Sequence, residues 1–114
     1  MRALAATLAL GALACALATG APGAQLHAAS TKTVKVGDDF FYKGKVAIKK
    51  DDRVKWTWGD GTKHKHTVTE EHGRWTSKEK KTGTYRHKFG KTGTFNVYCA
   101  THPLDMKMKV VVTK

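Results

Sequence analysis

The sequence predicts an all-β domain, a small antiparallel sandwich or barrel, behind a leader of different character. Three observations predict it. Apolar and polar residues alternate with period two through most of the chain beyond residue 32. The alternating runs are rich in Val, Thr and aromatic residues, and clusters of Gly and Asp interrupt them at short intervals. No stretch carries the 3.6-residue apolar stripe of a helix.

Taken in order, strands are expected at residues 33–36, 45–49, 53–58, 67–69, 85–89, 94–99 and 107–113. The breakers between them include Gly37-Asp38-Asp39, Lys50-Asp51-Asp52, Gly59-Asp60-Gly61, Thr82-Gly83 and Gly90-Lys91-Thr92-Gly93. Alternation also sorts the side chains. Val54, Trp56 and Trp58 share one face and Lys55 and Thr57 the other, so the first set is the candidate core. By the same count Phe95, Val97 and Cys99 point together, as do Met106, Met108, Val110 and Val112. Cys99 is thus expected to face inward at the end of a strand.

The first 24 of the 114 residues read as a signal peptide. Met1 and Arg2 give a positive start, and residues 3–18 form an Ala- and Leu-rich run too short to span a bilayer. Cleavage is expected within residues 18–24. A competing reading makes Cys15 the lipid-accepting cysteine of a bacterial lipoprotein. Residues 25–32 read as a linker and 33–114 as the functional domain, which is expected to be exported to the periplasm or cell exterior. Its roughly 90 residues make one small domain with no second hydrophobic span. Such a domain buries only about 60–65% of its unfolded surface, so a bound metal adds appreciably to its stability.

Without Cys15, the exported part keeps a single cysteine, Cys99, which has no internal disulfide partner. An unpaired thiol in an oxidising compartment needs a purpose, and holding a metal as thiolate supplies one. The formal charge of +12 favours acidic partners. Nucleic acid is not expected, since no stacking-aromatic or basic-helix motif accompanies the charge.

The chemistry concentrates in Tyr98-Cys99-Ala100-Thr101-His102-Pro103-Leu104-Asp105-Met106, which offers a thiolate, an imidazole and a thioether within eight residues. Thiolate with imidazole suits copper or zinc, and a thioether as an added weak ligand shifts the balance toward copper. A trigonal His2Cys site needs a second imidazole from elsewhere in the fold, and His66 in Lys65-His66-Thr67-Val68 is the natural supplier.

From about residue 33 onward the chain resembles the cupredoxins, in particular the plastocyanin, amicyanin and pseudoazurin group. The resemblance rests on Val54-Lys55-Trp56-Thr57-Trp58, His66-Thr67-Val68, Trp75-Thr76-Ser77, Gly93-Thr94-Phe95 leading into the Cys99 segment, and the closing Lys109-Val110-Val111-Val112. It implies a Greek-key β-sandwich holding one type 1 copper ion on His66, Cys99, His102 and Met106, and a one-electron carrier rather than an enzyme. Two departures stand out. Lys65 replaces the stiff residue usual before the first ligand, with His64 two positions from His66. Three residues separate His102 from Met106, where amicyanin-like loops have two and plastocyanin-like loops four. Met108 is the reserve axial candidate.

In the family, electrons commonly leave by the exposed edge of the C-terminal His inside an apolar patch, which Pro103 and Leu104 would help form here. The surrounding lysines would steer an acidic redox partner, and the carrier is expected to be a monomer. An alternative is a copper carrier or resistance protein with an additional site at His64, His66 and His72. A third is a metal-free adhesive sandwich. His64, His72 and His87 otherwise read as solvated surface histidines, and His27 as part of the linker. Trp56, Trp58 and Trp75 read as packing, with Trp75 also able to cover the metal. An oxidase or nitrite reductase would need a second copper centre, and no arrangement for hydrolysis is present.

Overall fold

The structure is a computed structural model that describes residues 28–114. The expected leader, its cleavage window, Cys15 and His27 lie outside the described residues. Eight strands form: β1 (Thr31–Gly37), β2 (Phe40–Tyr42), β3 (Lys45–Lys49), β4 (Arg53–Thr57), β5 (Thr69–Glu70), β6 (Thr84–Lys88), β7 (Gly93–Tyr98) and β8 (Lys107–Thr113). They make two four-stranded sheets, ordered β2-β1-β4-β6 and β3-β8-β7-β5. No helix occurs among the described residues, as the period-two pattern requires.

The sheets are mixed rather than wholly antiparallel. β1 runs parallel to β4, and β3 parallel to β8, while the other neighbours are antiparallel. The reason lies in the turn at Lys50-Asp51-Asp52. It reads in sequence as a hairpin, but β3 and β4 lie in different sheets, so the turn is an arch between layers. The chain then returns alongside β1 in the same direction. Asp52 steadies the arch from inside: its buried carboxylate accepts the backbone N–H of Ser30 at 2.9 Å and of Lys49 at 3.0 Å.

Alternation predicts the core well. Val54, Trp56, Trp58, Val97, Cys99, Met106, Met108, Val110 and Val112 are all buried, together with Val34, Val36, Val46, Ile48, Val68 and Phe89. Trp75 closes one side of this core, 5.8 Å from the Trp56 ring and stacked on His87 at 4.3 Å. It packs with Tyr85 and Phe89 as well, in the manner of a core residue. His87 is half-buried rather than a solvated surface histidine, and burial pushes its pKa down.

Two elements differ from the sequence expectation. β2 is an additional short strand, formed because Gly37 and Phe40 pair across a two-residue turn, Asp38-Asp39. Gly37 suits that place, since a Cβ there would stand 2.8 Å from the Phe40 ring, which would have to move aside. The expected strand at 67–69 becomes the two-residue β5 preceded by local pairing. His66 bridges Lys80, and the backbone of Val68 bonds to both the N–H and the hydroxyl of Ser77.

Replacing Trp56, which is fully buried, tests how far the fold depends on this packing. Trp56→Ala should cost about 3–5 kcal/mol in urea denaturation of the metal-free protein. That is a large share of the roughly 5–15 kcal/mol typical of a domain.

Candidate metal centre

The site lies where β7 gives way to the loop before β8. Alternation along β7 turns Cys99 inward, and its side chain is fully buried. Three backbone hydrogen bonds close the following loop on itself: Cys99 N–H to Met106 O, His102 N–H to Cys99 O, and Met106 N–H to His102 O. The loop therefore carries Cys99, His102 and Met106 as one unit. His66 arrives from the opposite side, pinned by paired backbone bonds with Lys80.

Folding brings three of the expected residues to one point. Cys99 Sγ lies 3.8 Å from His66 Nδ1 and 3.8 Å from His102 Nδ1. The three donor atoms fall within 4.8 Å of one another. Metal bonds of about 2.3 Å to thiolate and about 2.0 Å to imidazole, opened to 120°, would space sulfur and nitrogen by about 3.7 Å. The donor set and its spacing thus fit a trigonal thiolate–imidazole ion site, and soft sulfur with two imidazoles is a donor set that suits copper.

Met106 is fully buried and its backbone closes the ligand loop. The Met108 sulfur is engaged elsewhere, accepting the indole N–H of Trp56 at 3.3 Å. His64 is exposed, with its ring 6.2 Å from that of His102. His72 instead bonds Glu70 at 2.9 Å. Burial pushes the Glu70 carboxyl up, but the backbone N–H of Arg74 and the His72 contacts outweigh it and leave the group below its ordinary value.

The sulfur is set in a polar collar. Thr67 N–H donates to it at 3.3 Å, and the Thr101 hydroxyl lies 3.0 Å away. Ala100 N–H returns a bond to Thr67 Oγ1 at 2.8 Å. Burial raises the Cys99 pKa, yet Thr101, the Thr67 N–H and the two imidazoles together overcome it and bring the thiol down to about 6. The Cys99 contact in turn raises the His102 pKa against the opposing effect of desolvation, with Asp39 and Asp105 adding to the rise.

Sequence reasoning missed the carboxylates. The Asp38-Asp39 turn reads as a breaker, yet Asp38 Oδ1 lies 3.1 Å from His66 Nε2 and Asp39 Oδ1 3.2 Å from His102 Nε2. The Lys63 N–H first, then the His66 ring, hold the Asp38 carboxyl far below the usual carboxylate range. Two adjacent acids at a turn before β2 were the available signal, but only topology places that turn over the site.

The architecture is the cupredoxin fold. Among solved structures the chain is similar to amicyanin. An oxidised methionine-to-leucine variant gives a TM-score of 0.60 at 24% identity, covering 71% of this chain and 80% of that one. Amicyanin from Paracoccus versutus gives 0.56 at 21% identity, covering 72% and 80%. No protein-family model matches the chain, and no curated protein matches it. Among the described residues no helix is long and apolar enough to cross a membrane.

Removing a sulfur neighbour tests the collar. In the metal-free protein, thiolate absorbance should rise with pH around a midpoint of about 6. Thr101→Val removes a donor to the thiolate, so the midpoint should move up toward the ordinary thiol value.

Proposed function

We propose that this protein is a one-electron carrier that holds a single type 1 copper ion on His66, Cys99 and His102, with Met106 as the axial ligand. The observation that carries the reading is the equal 3.8 Å spacing of Cys99 Sγ from two imidazole Nδ1 atoms in a cupredoxin fold. Bound copper supplies the Cu(II)/Cu(I) couple. The chain supplies a preset thiolate, fixed imidazoles and a dry surround. The amicyanin structures of similar fold include oxidised and reduced forms, two of them described as Cu(I).

Met106 rather than Met108 takes the axial role in this reading, because the Met108 sulfur already accepts from Trp56. His102, 28% exposed at its side chain, is the ligand edge through which electrons leave, beside the exposed Leu104. Asp39 and Asp105 sit near that edge, so attraction of an acidic partner comes from the lysines spread over the rest of the surface. The protein works as an exported monomer, in the periplasm or outside the cell, after cleavage of its leader within residues 18–24.

Adding Cu(II) to the purified domain should give an intense blue band from thiolate-to-copper charge transfer, bleached reversibly by reductant. Cys99→Ser should abolish it. A protein that binds Cu(II) yet stays colourless would sink the reading. Met106→Leu should raise the reduction potential in voltammetry by removing a donor to Cu(II), whereas Met108→Leu should leave it near the wild-type value.

A further inference from the structure

We infer that Asp38 and Asp39 form a paired carboxylate clamp on the outer nitrogens of both imidazoles, orienting the rings and setting the potential of the site. The inference rests on the copper reading above and deepens it. A carboxylate only accepts, so an Nε2 atom bonded to one carries the proton, and in the neutral ring that a metal requires Nδ1 is then the lone-pair nitrogen. At both histidines Nδ1 is the atom that faces the Cys99 sulfur. One turn thereby selects the tautomer of two residues that are 36 positions apart in the chain.

The clamp is built rather than incidental. Asp38 is anchored by the Lys63 N–H at 2.9 Å and the His64 N–H at 3.1 Å, so its third contact, to His66, comes from a fixed carboxylate. Asp39 takes a left-handed backbone with φ of 70°, which swings its side chain to His102 from the adjoining position. The Phe40 ring lies against Gly37 on the other side of the turn and holds the hairpin closed. Fixed partners of this kind raise the basicity of an imidazole ligand, and their loss typically costs 10–100-fold in metal affinity. The better donor favours Cu(II) over Cu(I), so both aspartates are positioning residues that pull the potential down.

Voltammetry on the copper-loaded protein tests this. Asp38→Asn and Asp39→Asn should each weaken Cu(II) relative to Cu(I) by about tenfold, a rise of about 59 mV for one electron. Asp51→Asn removes the same charge from the exposed arch and should leave the potential unchanged. Potentials of both clamp variants equal to wild type, or an equal shift in Asp51→Asn, would overturn the clamp. Asp39→Asn keeps the test open should Asp38→Asn fail to fold, since Asn tolerates a left-handed backbone. Proton NMR of the metal-free protein decides the matter without copper. A downfield, hydrogen-bonded Nε2 proton of His66 should be present in wild type and lost in Asp38→Ala; its absence from wild type refutes the inference. A colourless copper-loaded wild type would defeat the copper reading alone, and the NMR result would still judge the clamp.

Discussion

The site depends on a two-way bond between segments more than thirty residues apart. Thr67 gives its N–H to the Cys99 sulfur, and its hydroxyl oxygen accepts from Ala100 N–H. These contacts tie the His66 segment to the start of the loop that carries the other donors. The Thr101 hydroxyl adds a third tie, donating to Lys65 O at 3.1 Å. Both ends are braced in turn: His66 by its pairing with Lys80, and the loop by its own three backbone bonds. The sulfur's low pKa follows from the same contacts, because donors arranged to hold it in place also stabilise its charge.

The sandwich below gives the site its rigidity. Trp56 is the clearest link between the two regions, since it packs in the core and donates its indole N–H to the Met108 sulfur. That bond ties the opposite sheet to the strand that follows the ligand loop, which its ladders to β3 and β7 already hold in place. Met106 and Met108 differ by only two residues and share a face, yet the Met108 sulfur meets Trp56 whereas the Met106 backbone closes the ligand loop.

Most of the fold was legible in sequence. The strands at 45–49 and 107–113 fall where alternation and breakers put them, and the buried faces of β4, β7 and β8 follow from period two alone. Parallel pairing was not legible, because a short Asp-rich turn looks the same whether its strands join one sheet or bridge two. β5 was misjudged in extent because His66 and Val68 take their partners from the irregular segment at 76–80, a contact that no local pattern announces. The convergence of Cys99 and His102 was visible through close spacing and donor type, and that of His66 through the need for a second imidazole, while for Met106 the sequence foretold burial. Asp38 and Asp39 were hidden because a turn acid is ordinarily explained by the turn.

The position of β8 in its sheet bears on how the molecule comes to exist. It lies between β3 and β7, so a strand made late in synthesis fills an interior place. A ribosome releasing this chain in order has already delivered Cys99, His66 and His102 before that slot can be filled. Until then β3 lacks its only sheet neighbour among the described residues. Pairings between such distant stretches form slowly. β3 and β7 therefore come into one sheet only once residues 107–113 have been laid between them, so the sheet is completed from its middle rather than from an edge.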